Sequence, residues 1–343
     1  MRASLSAISS YRTDLRRLAF AAALACPALG AAQEFKLRVP LGLDERALLI
    51  PVDNPLTREK IELGRQLFFD RRWSRTQTVS CASCHQPERG WSDERRVSID
   101  HEGKPTRRHA PTIINRAFST LEGWAGHRDS AEDLLAKLPF TSAEAIERHL
   151  GPVKAYQAQF QRVFGTGVTA DGVAKAIASF QRTLLSGNSP YDRYRAGDAA
   201  ALSPAARRGL ALFEGKAACA KCHNGFNFSD QGFHNTGIGT GIVDNPDLGR
   251  YEVTKRNVNR AAFKTPTLRD VARRGPYMHD GSLATLQEVV AFYDRGGIPN
   301  PALSPDIARL GLVAAEQADL VAFLEALSGE IAPDAARVPS LPR

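Results

Sequence analysis

The sequence predicts a mainly α-helical fold in two related domains with long loops, and three observations predict it. The pentapeptide Cys-x-x-Cys-His occurs twice, as Cys81-Ala82-Ser83-Cys84-His85 and as Cys219-Ala220-Lys221-Cys222-His223. The flanks repeat too: Gly64-x-x-Leu67-Phe68 and Gly209-x-x-Leu212-Phe213 precede the motifs, and Trp91-Ser92-Asp93 and Phe228-Ser229-Asp230 follow them. Elsewhere in the chain apolar residues recur at helical spacing, at 173–184 and again at 320–327, and between these lie Gly- and Pro-rich stretches such as Gly232 to Gly249.

Taken in order, the chain opens with a basic segment ending in Arg16 and Arg17, an apolar run from Leu18 to Leu29, and the small residues Gly30, Ala31 and Ala32. This predicts a secretory signal peptide over residues 1–32, cut near Ala32, and hence a periplasmic protein. No later run reaches the roughly 18 apolar residues that a membrane-spanning helix needs, so the mature chain is expected to lack a transmembrane segment. The signal would carry away Arg2, Arg12, Arg16, Arg17 and Asp14, a net +3 of the formal +8. The remaining basic residues are scattered among acids rather than gathered into a stripe, which argues against nucleic acid as a partner.

With 343 residues, 43% of them hydrophobic and 24% charged, the chain is long enough for two domains of ordinary size. The polar stretch from Gly187 to Ser203 suggests a boundary, giving an N-terminal domain over 33–190 and a C-terminal domain over 191–335. Val173, Ala176, Ile177, Phe180 and Leu184 mark one apolar helical face, with Gly187 as its stop; Leu320, Phe323, Leu324 and Leu327 mark another.

The cysteines carry the chemistry. Cys26 leaves with the signal, and the other four all lie in the two pentapeptides. Disulfides or a zinc site would not require a histidine directly after each pair. Covalent haem attachment does: two thiols form thioethers with the vinyl groups, and the adjacent imidazole becomes the proximal iron ligand. Cys81, Cys84 and His85 are therefore expected to hold one haem c, and Cys219, Cys222 and His223 a second. The two domains then read as cytochrome c-like units related by duplication.

Further segments resemble a known family, the bacterial di-haem cytochrome c peroxidases and their MauG-type relatives. They are Arg108-His109-Ala110-Pro111-Thr112, the run from Ser186 to Tyr194, Phe233-His234-Asn235-Thr236-Gly237, Thr265-Pro266-Thr267-Leu268-Arg269, and the run from Gly275 to Ser282. The resemblance covers about Pro55 to Gly329. It implies that the N-terminal haem meets hydrogen peroxide and that the C-terminal haem relays electrons or shares oxidising equivalents.

The resemblance also assigns roles. It puts a releasable distal histidine in the loop holding His101, although the MauG type leaves that iron five-coordinate. A carboxylate that moves a proton between the peroxide oxygens falls a few residues beyond Pro139, where Glu144 is the matching acid, one residue closer than in relatives and with Glu147 nearby. The tryptophan between the haems matches Trp124, with Trp91 the lesser candidate. For the sixth ligand of the second haem, the MauG type uses a tyrosine where this chain has Tyr293, which shares a helical face with Leu286, Val289 and Val290. Met278, the sole methionine after signal removal, is the alternative. An interdomain calcium is possible but doubtful, since His109 stands where relatives have Asn and Lys264 lies near the other ligand segment. His127, His149, His234 and His279 read as packing, propionate-contacting or surface residues.

Three functions follow as alternatives. The leading one is a di-haem peroxidase that reduces hydrogen peroxide with electrons from a small c-type cytochrome or cupredoxin. Tyr293 favours a MauG-like enzyme that oxidises side chains of a partner protein. The third is a non-enzymatic di-haem electron carrier, in which Glu144 and Trp124 would have no role.

Overall fold

A computed structural model describes residues 35–240 and 246–343; the expected signal peptide lies outside the described residues. The fold is mainly helical. Its helices are α1 (Arg58–Phe69), α2 (Ala131–Ala136), α3 (Ala143–Leu150), α4 (Lys154–Phe164), α5 (Ala170–Gln181), α6 (Pro190–Arg195), α7 (Pro204–Glu214), α8 (Tyr251–Thr254), α9 (Leu286–Asp294) and α10 (Ala314–Glu325). Two-residue strands β1 (Phe233–His234) and β2 (Phe263–Lys264) pair antiparallel, with Phe233 opposite Lys264 and His234 opposite Phe263. This ribbon lies in and beside the stretch read from sequence as loop. Among the described residues, no helix is long and apolar enough to cross a membrane.

The two halves are built on one local plan. Helix α1 starts at Thr57, whose hydroxyl accepts from Lys60 N at 3.2 Å, and α7 starts at Ser203, which accepts from Ala206 N at 3.1 Å ahead of Pro204; each such cap contributes about 1 kcal/mol. Each helix then crosses a later one through its repeated glycine. A Cβ on Gly64 would stand 1.8 Å from the Ala176 carbonyl of α5, and one on Gly209 would stand 2.0 Å from the Asp319 carbonyl of α10. Only a missing side chain permits that approach, which explains the spacing Gly-x-x-Leu-Phe.

Aromatic trios lock each crossing. Phe68, Trp91 and Phe180 meet edge to face at centroid separations of 5.3 to 6.0 Å, and Phe213, Phe228 and Phe323 meet at 5.0 to 6.3 Å. Pairs of this kind add about 0.5–1.5 kcal/mol beyond their burial. They sit at the centres of two separate hydrophobic clusters, one around α1 and α5, the other around α7 and α10.

Both clusters are closed by matching hydrogen bonds. Thr112 Oγ1 donates to Gly90 O and Thr267 Oγ1 to Asn227 O, both at 2.7 Å, while Ser92 Oγ and Ser229 Oγ donate to Ala110 O and Thr265 O at 2.6 and 2.7 Å. The helices expected to run through Leu184 and Leu327 stop earlier, at Gln181 and Glu325. Both leucines stay fully buried. Their carbonyls instead accept from Asn115 N at 2.9 Å and Asp270 N at 3.2 Å, two residues in left-handed conformation, so each chain leaves its helix to close the same tie.

Contacts across the halves fix the space between them. His109 N donates to His279 O at 2.7 Å, Lys264 N donates to Trp124 O at 2.8 Å, and Arg108 makes two 2.7 Å bonds to the Asp247 carboxylate.

Candidate functional site

Each Cys-x-x-Cys-His segment folds as one tight turn. Cys84 N and His85 N donate to Cys81 O at 3.2 and 2.9 Å; Cys222 N and His223 N donate to Cys219 O at 3.3 and 2.9 Å. The four sulfurs are free and not joined to one another.

The residue after each turn that matters most is the aromatic one. Trp91 and Phe228 take left-handed backbone angles, φ 58° and 50°, uncommon for bulky side chains. That twist aims their carbonyls at the histidines: His85 Nδ1 bonds Trp91 O at 3.2 Å, and His223 Nδ1 bonds Phe228 O at 3.0 Å. With Nδ1–H donating, Nε2 keeps its lone pair for a metal, the arrangement metal-bound histidines generally show. Burial pushes both imidazoles down to about 4, so they are neutral and able to ligate at pH 7. The donor set of each half thus fits a haem c.

A cavity of about 240 Å³ opens beside the second turn. Cys219, Cys222, His223, Tyr293 and Met278 all line it, as do Leu286 and Val289 of α9, so the expected inward face of that helix is where it was read. The Tyr293 hydroxyl has no hydrogen-bond partner among the described residues, and burial makes it a weaker acid than an ordinary phenol, its pKa pushed well up. Trp124 lines the same cavity; its Nε1 donates to His109 O at 2.8 Å and its ring lies 6.5 Å from His279, which in turn stacks on Phe263 at 3.5 Å.

The residues expected around the first haem are more dispersed. His101 is largely enclosed in the loop from Ser98 to Thr106, and its Nδ1 is buried without a partner. Glu144 stands on the first turn of α3, exposed to solvent, with its carboxyl held low by its own backbone N–H and by Ser142. Glu147 is exposed one turn on.

Three ligand-type atoms, from Cys222, Asp230 and His234, lie within 4.8 Å of one another. The Cys222 sulfur is the one a thioether would consume, so this cluster belongs to the haem turn. Calcium finds a poor donor set. His109 is committed through both ring nitrogens, to Ser92 Oγ at 2.9 Å and to Arg95 O at 2.9 Å, and the buried ammonium of Lys264 occupies the other segment, where a hard cation would want oxygens. Sequence reasoning missed Arg274, which is buried and lines the cavity; a lone Arg beside Arg273 carries no signal of burial.

The profile of the family described as di-haem cytochrome c peroxidase matches residues 58–200. The methylamine utilization protein MauG of Methylorubrum extorquens is 43% identical over 303 residues, 85% of this chain and 84% of that protein. The chain belongs to the di-haem cytochrome c peroxidase family. Cytochrome-c peroxidase IdrP1 of Denitromonas iodatirespirans is 39% identical, with 91% of this chain and 92% of that protein covered. Among solved structures, a MauG-like protein associated with microbial copper homeostasis superimposes with a TM-score of 0.80 at 32% identity, over 89% of this chain and 99% of the other. Membership makes the chain a peroxidase-type oxidoreductase with haem c cofactors.

Proposed function

We propose that the protein is an exported, periplasmic di-haem enzyme that reduces hydrogen peroxide with electrons from a small c-type cytochrome or cupredoxin. The observation that carries this is the pair of Nδ1-anchored, neutral imidazoles, His85 and His223, each placed beside two unpaired thiols. Cys81 and Cys84 attach one haem and Cys219 and Cys222 the other, each supplying a redox-active iron when bound.

Around those groups the side chains have separate tasks. His101, enclosed with a spare ring nitrogen, stands as the releasable residue on the first site. Glu144, ionised at neutral pH, takes a proton from one peroxide oxygen and returns it to the other, so that peroxide, two protons and two electrons give two waters. Trp124, whose indole N–H bonds His109 O, serves as the bridge between the halves. The domain division at about residue 190 follows the same assignment, one haem to each half.

Tyr293 favours a second reading. An unpartnered phenol in the cavity beside His223 suits a sixth ligand that lowers the potential of its iron, and a MauG relative is 43% identical to this chain. On that reading the oxidising equivalents pass to side chains of a partner protein. Mixing the haem-loaded protein with peroxide and a reduced small cytochrome separates the two: fast, saturable cytochrome oxidation supports the peroxidase. Slow turnover with a long-lived oxidised spectrum supports the MauG-like enzyme, and an inert spectrum leaves neither.

A further inference from the structure

On the wall of the cavity beside His223 stand two cations, Arg274 and Lys264, that no carboxylate of the described residues neutralises. Arg274 is 7% exposed, yet among the described residues its only side-chain hydrogen bond runs from Nη2 to Thr267 O, leaving most of its five N–H donors unused. The one acid that acts on it electrostatically among the described residues, Asp270, already serves Arg273 at 2.9 Å and the Ser186 hydroxyl. Lys264 is 6% exposed, and among the described residues its ammonium bonds only neutral atoms, Gln231 Oε1 and Ser119 Oγ. Glu122 is taken by Arg116 and Asp230 by His234. Among the described residues, neither cation has a carboxylate within salt-bridge distance.

Buried charges are ordinarily paired. Here burial drags Lys264 down to about 8 and Arg274 down to about 10, the signature of charges that lack counter-ions. Two further buried polar atoms on the cavity wall, His279 Nε2 and Thr265 Oγ1, are also without partners. A wall with two surplus positive charges and spare donors is built for a ligand with two carboxylates. A haem carries two, its propionates, and Cys219 and Cys222 line this cavity whereas Cys81 and Cys84 do not.

We propose that Arg274 and Lys264 form a carboxylate clamp that receives the two propionates of the haem attached at Cys219 and Cys222. Arg274 suits the role because its planar fork can hold a carboxylate through two parallel bonds. The clamp also accounts for the poor calcium donor set, since its own cations already supply positive charge there. This inference rests on reading Cys219, Cys222 and His223 as a haem attachment site.

The test uses the full-length haem-loaded protein and the variants Arg274→Met, Lys264→Met and Arg274→Lys, each first checked for two haems by haem count. Resonance Raman spectra should show the propionate bending band of one haem shifted in both methionine variants. The midpoint potential of that haem should fall in each, because a nearby cation favours the reduced iron, and Arg274→Lys should retain most of the wild-type value. An unmoved band and potential in both methionine variants would overturn the clamp while leaving the attachment site intact. A single haem in the wild type would overturn that site and the clamp together. If Arg274→Met fails to fold, Lys264→Met and Arg274→Lys still decide the outcome.

Discussion

Two of the proposed roles, those of Glu144 and Tyr293, can be tested singly. Glu144→Gln keeps the size of the side chain and removes the base; peroxide consumption should slow by about 10²- to 10⁴-fold, the usual contribution of a positioned acid/base. Because Glu144 is exposed, thermal stability should move by no more than about 0.5 kcal/mol. An unchanged rate would make it a plain surface glutamate. Tyr293→Phe removes only the hydroxyl, so the cavity keeps its shape. The spectrum of one haem should change and its potential rise; spectra identical to wild type would assign Tyr293 to packing and return Met278 to consideration. At this scale the sequence was most legible where spacing encodes covalent chemistry. The two pentapeptides and Tyr293 on the inward face of α9 were readable, whereas Arg274 was not, because burial of a charge depends on a cavity assembled from distant segments.

At the scale of elements, the repeat of Gly64 and Gly209 has a mechanical cause. Each glycine sits under a carbonyl of the helix it crosses, so Gly64→Ala and Gly209→Ala should each destabilise by at least about 1–3 kcal/mol, the cost of overpacking, in chemical denaturation followed by circular dichroism. A change below about 0.5 kcal/mol in both would mean that the crossings relax. The repeated flanks were legible as a sign of two related domains, but that their glycines are crossing points emerges only from the structure. Helix ends were less visible. Periodicity placed Leu184 and Leu327 on the right faces, but it could not reveal that their carbonyls accept from Asn115 and Asp270 instead of continuing a helix. The matching Pro111-Thr112 and Pro266-Thr267 ties also escaped the sequence comparison, since their work lies in bonds to Gly90 and Asn227 rather than in a recognisable pattern.

For the molecule as a whole, the join between the halves leans on Arg108 and Asp247. Burial works to raise the Asp247 carboxyl, but the Arg108 bonds outweigh it and hold the group below its ordinary 3.8. A carboxyl depressed on folding stabilises above its unfolded value and loses that contribution as pH falls through the folded one. Wild type should therefore lose stability below about pH 4. Asp247→Asn should cost about 1.5–3 kcal/mol at pH 7, the worth of bonds to a charged group, and show a weaker acid dependence. Equal acid sensitivity in variant and wild type would move the pH response elsewhere.

The central claim is that the paired haem turns serve peroxide chemistry. Its most direct test is stopped-flow mixing of the purified, haem-loaded protein with hydrogen peroxide, in the oxidised and half-reduced states, in the presence of a reduced small c-type cytochrome. The account predicts a rapid change in the haem spectrum and oxidation of two cytochromes per peroxide consumed. No spectral change and no cytochrome oxidation in either state would contradict it and identify the protein as a di-haem electron carrier.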